Sequence, residues 1–292
     1  MENNKLINKV TVGADPEMFL FSNKLNRFYP VCGLVGGTKK KPLSFSTEGH
    51  AVQEDNVMVE YCIPPSKTLE EFLKNIVFAK EYIDETLLKN IRIAITNEMG
   101  DADWEDLELV SKCIASASFL NEDLLSSQAQ VFGCESDYDV YTFEANRVVR
   151  LDLLLRSCGG HIHIGYENNN MDANIKLIKA MDLFLGLQSV VLDPDRKRRT
   201  LYGKAGCYRI KPAYGFEYRT LSTFWTATED LIKWAYSQSM AAVDFVNSGG
   251  IITNEQDIVY AINSSNTNKA LEILDEYNIE IKEINNLKTE EV

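Results

Sequence analysis

Residues 9–22 alternate apolar and polar positions in steps of two, the spacing of a strand with one buried face. The alternation carries two acids at its centre, in Asp15-Pro16-Glu17. Residues 28–35 predict a second strand, which runs out at Gly36-Gly37 and a basic turn, Lys39-Lys40-Lys41. Residues 56–63 alternate as a third, stopped by Pro64-Pro65, which cannot donate to a ladder. There the period changes. Leu69, Phe72, Leu73, Ile76, Val77, Ala79 and Ile83 recur at helical spacing, with Ser66 placed as N-cap and Glu70 in the first turn. That predicts a helix to about residue 89. Residues 91–96 read as a short strand and the acidic stretch 101–110 as a helix. Residues 120–136 show no clear period, and 151–155 fit either a helix end or a strand.

The second half is more regular. Gly159-Gly160-His161-Ile162-His163-Ile164-Gly165 reads as a strand, and residues 171–192 as a helix with a wide apolar face, broken by Asp193-Pro194. Residues 228–246 predict another helix, closed by Ser248-Gly249-Gly250, and 254–262 and 269–277 two short ones before a charged, fraying tail. Strands and helices mix without a βαβ rhythm and without an internal repeat. This favours an α+β fold, a mainly antiparallel sheet flanked by helices. A chain of 292 residues buries a sizeable core, expected here as a main domain over 1–250 and a helical extension over 251–292.

Charge narrows the function. With 43 acidic against 30 basic residues the formal net charge is −13. That argues against direct nucleic-acid binding, which needs clustered Lys and Arg, but leaves room for a local cationic pocket. The six cysteines form no C-x-x-C pair, and residues 1–8 are polar and charged rather than secretory in pattern. Reduced thiols and a cytoplasmic location are therefore expected. No apolar run reaches the length needed to cross a bilayer.

Four clusters carry the chemistry. Asp15 and Glu17 share a strand face, where two close carboxylates repel and call for a cation, unless both are solvated at an edge. Glu60 falls inside an apolar strand, where an acid is paired, ligated or turned to solvent, and on that strand Asn56 shares its face. His161 and His163 point the same way, which suits a metal ion or an anion, or a hydrogen-bonded pair. The fourth cluster spans Arg196–Arg219 as a basic run interleaved with tyrosine and glycine. Arg196 and Lys197 read as solvated loop, whereas Arg209 and Arg219 offer planar forks for phosphate or carboxylate. Glu217 shares a strand face with Arg219. Carboxylates, imidazoles and arginines without a Ser-His-Asp or Cys-His pattern suit Mg²⁺ or Mn²⁺ beside phosphates. Neither G-x-x-x-x-G-K-[ST] nor G-x-G-x-x-G is present, so a nucleotide would be held by metal ions and arginines on a sheet.

In content and order, from about residue 10 to 225, these motifs resemble the glutamine synthetase and glutamate–cysteine ligase superfamily, and within it the phage-type COOH–NH2 ligases. Asp15-Pro16-Glu17-Met18-Phe19 is similar to an E-P-E metal strand with Asp15 in place of the first Glu. Gly160-His161-Ile162-His163 resembles a G-x-H-x-H segment, and Glu217-Tyr218-Arg219 an E-x-R strand. Asp55-Asn56 through Glu60 resembles the phage group's D-N-x-x-x-E, and Leu201-Tyr202-Gly203 and Gly206-Cys207-Tyr208-Arg209 follow its pattern.

The resemblance implies a glutamine synthetase-like catalytic fold and an ATP- and Mg²⁺- (or Mn²⁺-) dependent ligase. Such an enzyme joins a carboxylate to an amine through an acyl-phosphate. Asp15, Glu17, Glu60, His161 and Glu217 would be metal ligands. Arg209 and Arg219 would neutralise the phosphoryl group, with His163, Arg199 and Lys204 as further nucleotide contacts. The partners implied are carboxylate and amine substrates, whether small molecules, peptides or proteins, in a host cytoplasm if phage-encoded, with the oligomeric state open. Two alternatives stay open: a guanidine kinase-like phosphotransferase using Cys207, and a binding or scaffold protein that kept the fold without catalysis.

Overall fold

The computed structural model describes residues 6–99, 107–130, 137–146 and 154–281. Twelve strands are described: β1 (Thr11–Ser22), β2 (Arg27–Tyr29), β3 (Leu43–Ser44), β4 (Ala51–Asp55), β5 (Met58–Cys62), β6 (Leu109–Lys112), β7 (Ser116–Ser118), β8 (Tyr138–Asp139), β9 (Leu155–Ser157), β10 (Gly160–Gly165), β11 (Cys207–Lys211) and β12 (Gly215–Tyr218). The main sheet runs β3-β4-β5-β1-β10-β12-β11-β8, with β2 and β6 also on β1, while β7 and β9 form a separate pair. Every ladder is antiparallel. The expected α+β class, a mainly antiparallel sheet flanked by helices, is what the chain adopts.

Register sorts the side chains onto two faces, because residues directly opposite one another project the same way. Val12 pairs with Ile164, Ile164 with Phe216 and Phe216 with Ile210, while Ala14 pairs with Ile162 and Ile162 with Tyr218. That face is apolar. It packs on α1 (Leu69–Tyr82) through Phe72, Ile76 and Ala79, on α4 (Met171–Met181) through Leu177 and Ile178, and on α7 (Glu229–Asn247) through Leu231 and Ala235. The opposite face aligns Gly13, His163, Glu217 and Arg209, then Asp15 with His161, then Glu17, Glu60 and Gln53. Thus one sheet buries apolar side chains on one side and gathers ionisable ones on the other.

The helices depart from the sequence pattern in places. Thr68, not Ser66, caps α1 by accepting from Glu71 N, while Ser66 makes an isolated bridge to Val12. A π-helical turn (Ile83–Leu87) joins α1 to α2 (Leu88–Met99), so residues 91–96 are helical rather than a strand. Ile91 and Ile95 are buried one turn apart with Ile93 exposed between them; three alternating isoleucines mimic a strand, but the burial is helical. Leu109 and Val110 lie in β6 rather than in a helix, while residues 100–106 lie outside the described part. The second predicted strand stops at Tyr29. Within 120–136 there is a 3₁₀ turn (Asn121–Leu124) and α3 (Ser127–Gln130), and residues 131–136 lie outside the described part, as do 147–153.

The long helix predicted over 171–192 forms as α4, a π-helical turn (Asp182–Gly186) and α5 (Leu187–Leu192). A four-residue helix, α6 (Arg198–Leu201), precedes β11. Past α7, helices α8 (Glu255–Asn263) and α9 (Thr267–Glu276) pack on α5 in a second core of Leu187, Val190, Ile258, Ile262, Ile273 and Leu274.

Candidate functional site

β1 is the backbone of the site. Its first half pairs with β10, setting Asp15 opposite His161, and Glu17 pairs on the other side with Glu60 of β5. Two clusters of ligand atoms result, each within 4.8 Å: Asp15, His161 and Glu217, and Glu17, Asp55 and Glu60. Both lie on the polar face, and all six residues except Asp15 are buried.

In the first cluster Asp15 Oδ1 is 3.2 Å from His161 Nδ1 and 3.1 Å from His163 Nε2. Burial works to raise the Asp15 carboxyl, but the His163 and His161 imidazoles hold it well below the usual carboxylate range. His161 Nδ1 is 3.4 Å from Glu217 Oε1, and Arg219 donates to both side chains. Burial, with the nearby Arg219 charge, pushes His161 down to about 3, so the ring is neutral and one of its nitrogens keeps a lone pair for a cation. His161 Nε2 is buried and has no hydrogen-bond partner. Glu217 is fully buried and draws Arg209 Nη1 to 3.3 Å and Lys211 Nζ to 2.9 Å. The second imidazole, His163, accepts or donates at Nδ1 to the Tyr214 hydroxyl, 2.8 Å away.

The second cluster has less counter-charge. Glu17 accepts from the Gly159 backbone N–H, and Asp55 pairs with Lys39 at 2.8 Å. Burial, then the charge of Asp55, pushes Glu17 up to about 8. Burial, with Asp15, Asp55 and Glu17, raises Glu60 well above its ordinary value. Buried beside the Asp55 charge, Glu17 and Glu60 are held protonated until a cation offsets them. The oxygen-rich donor set beside one imidazole suits Mg²⁺ or Mn²⁺.

A glycine makes the close approach here. A Cβ at Gly160 would sit 2.4 Å from Ser222 O and 2.5 Å from Trp225 Nε1, and Trp225 Nε1 donates to Gly160 O at 2.9 Å. The start of β10 is thereby pinned to the segment after β12, fixing His161 relative to Arg219.

Of the residues picked from the sequence, the structure gathers Asp15, Glu17, Glu60, His161, His163, Arg209, Glu217 and Arg219 on one face. It does not bring Arg199 and Lys204 into that set. Arg199 is buried and donates to Ser189 Oγ at 2.8 Å, and Lys204 is exposed with its carbonyl accepting from Thr220 Oγ1. Asn56 occupies the β4–β5 turn with φ 58°, where its side chain faces Arg156, rather than sharing the strand face of Glu60. Asp55, Lys39, Asp137, Tyr202, Lys211 and Tyr214 join the site without having been picked. Lys211 was legible as the residue two beyond Arg209 on the same face. Asp137, 3.4 Å from Arg219 Nε, had no local signal. Cys207 is buried, accepts from Asn146 Nδ2 at 3.2 Å and has its thiol raised by burial. It lacks the low-pKa, accessible setting of a reactive cysteine.

Residues 155–288 match the family model described as Phage phiEco32-like COOH.NH2 ligase-type 2. The matched stretch carries His161, His163, Arg209, Glu217 and Arg219, while Asp15, Glu17 and Glu60 precede it. Among solved structures the chain is similar to a bifunctional glutathione synthetase from Pasteurella multocida, at a TM-score of 0.36 and 11% identity, over 93% of this chain and 45% of that one. The chain therefore spans less than half the length of that protein. No curated protein matches. Among the described residues no helix is long and apolar enough to cross a membrane.

Proposed function

We propose that this chain is an ATP- and Mg²⁺- (or Mn²⁺-) dependent carboxylate–amine ligase of glutamine synthetase-like type. The observation that carries this is the polar sheet face, where two buried ligand clusters lie beside two arginine forks. The family match over residues 155–288 supports the same chemistry.

Asp15, His161 and Glu217 would hold one divalent cation and Glu17, Asp55 and Glu60 a second, supplying charge neutralisation at the phosphates of bound ATP. Arg219 and Arg209 present planar donors to phosphoryl oxygens at the edge of the first cluster. Lys211, beside Glu217, adds a third cation on that edge. Burial of the carboxylates keeps water from competing with the substrates. One substrate's carboxylate oxygen takes the γ-phosphoryl group as ADP departs. The amine of the second then displaces phosphate from the acyl carbon and gives up a proton, leaving an amide. The carboxylate and amine partners, small or peptidic, would enter over this face.

Thermal melting with Mn²⁺, a non-hydrolysable ATP analogue, or both tests the site without knowledge of the substrates. At about a hundred times Kd a ligand adds roughly 2.7 kcal/mol, several degrees for a chain of this size. The expected result is a shift needing both ligands together and lost in Glu17→Gln. No shift at saturating ligand overturns the ligase reading.

A further inference from the structure

Arg198 stands in the run Arg196-Lys197-Arg198-Arg199, yet only 2% of it is exposed. Its guanidinium donates from Nη1 to Thr220 O at 2.8 Å and from Nη2 to Leu221 O at 2.8 Å, with Arg219 O at 3.5 Å. These are consecutive carbonyls where the chain leaves β12, and Leu221 O also accepts from Gly160 N at 3.0 Å. The same turn closes on itself, with Tyr202 N donating to Arg198 O at 2.8 Å. Tyr202 follows, its ring lying between two guanidinium groups: Arg198 and Arg219 each sit 5.4 Å from its centroid. The Tyr202 hydroxyl accepts from Arg219 Nε.

Gly203 makes this fit. Its φ is 74°, and a Cβ there would lie 1.8 Å from Arg198 Nη1 and 2.8 Å from Thr220 O. Arg219 is therefore held from two directions: its backbone through the Arg198 clamp on residues 219–221, its Nε through Tyr202. Its Nη1 is turned toward Glu217 and His161 on the ligand face.

We propose that Arg198 and Tyr202 are positioning residues that set the Arg219 fork on the polar face, so that nucleotide phosphate meets a pre-oriented guanidinium. The inference rests on the nucleotide-binding reading given above. It separates two affinities that a merely structural role would move together. Mn²⁺ alone is held by carboxylates and His161, whereas an ATP analogue with Mn²⁺ also needs Arg219 in place.

The test is calorimetric titration of full-length protein with Mn²⁺ alone, then with a non-hydrolysable ATP analogue in the presence of Mn²⁺. Wild type, Tyr202→Phe and Arg198→Lys are compared. Tyr202→Phe keeps the ring between the guanidinium groups and removes only the acceptor. Loss of one charge-assisted hydrogen bond lowers analogue affinity about tenfold. Affinity for Mn²⁺ alone should stay at the wild-type value. Arg198→Lys reaches one carbonyl in place of three and should show a larger loss in the same direction. Equal analogue affinity in Tyr202→Phe and wild type overturns the proposal, as does a parallel loss of Mn²⁺ affinity. If wild type itself binds no analogue, the ligase reading fails and the positioning role falls with it; if wild type and variants bind it equally, only the positioning role falls and the ligase reading stands.

Discussion

Asp182 begins the π-helical turn behind the site, fully buried, and accepts from the hydroxyls of Tyr218 at 2.6 Å and Tyr141 at 2.9 Å. Burial outweighs these donors and pushes its carboxyl from 3.8 up to about 7. Between those values the folded chain binds a proton that the unfolded chain has released. Stability from Asp182 is thus fully present below the unfolded value and is lost as pH rises through the folded one. A rise of about 3 units at roughly 1.4 kcal/mol each makes the loss about 4 kcal/mol. Asp182→Asn cannot ionise and keeps an oxygen for Tyr218, while the Tyr141 hydroxyl can turn to accept from its amide. Urea unfolding at pH 5, 6, 7 and 8, in chelator at constant ionic strength, should give a variant whose stability falls less steeply than that of wild type. Glu17 and Glu60, also raised, tilt both proteins alike and cancel in the difference. Parallel curves would refute the reasoning, because Asp182 would then be ionised in the folded state across the whole range.

Two further outcomes follow from the site. Arg219→Lys keeps the charge but cannot serve Tyr202, Glu217 and His161 at once. ATP turnover should fall about tenfold to a hundredfold, and a rate equal to wild type would remove the fork from the chemistry. Cys207→Ser should retain activity while losing roughly 1–2 kcal/mol on thermal melting, since a buried hydroxyl replaces a thiol; loss of activity in a folded variant would revive the phosphotransferase alternative.

The polar face was legible to the extent that local alternation carried it. Asp15 and Glu17, His161 and His163, and Glu217 and Arg219 stand two apart, and a strand puts such pairs on one face wherever its partners lie. Register between strands was not legible. Nothing local says that Glu60 sits opposite Glu17, or that Asp137 meets Arg219. The helical side misled where two rules competed. Ile91, Ile93 and Ile95 have β-branched, alternating character, but the π-helical turn before them carries the helix on and buries only the first and third. In the basic run Arg196 and Lys197 read as solvated loop and Arg199 as a nucleotide contact, while Arg198 carries no assigned role. The last two are both buried here, Arg198 on the backbone carbonyls of Thr220 and Leu221 and Arg199 on the Ser189 hydroxyl.

Both ligand clusters draw on one strand, and this sets a timetable for the newborn chain. Asp15 and His161 are 146 positions apart, so at ordinary synthesis rates β1 waits roughly 7–30 s for its partner β10. During that interval a long, largely apolar strand lacks its mate, the kind of edge that invites pairing with another chain. Asp15, Pro16 and Glu17 interrupt it at its middle, and charge and proline there discourage such pairing. The acids of the two clusters would first guard the strand that carries them. Neutralising both should therefore show up in soluble yield during synthesis, before any assay of ligand binding begins.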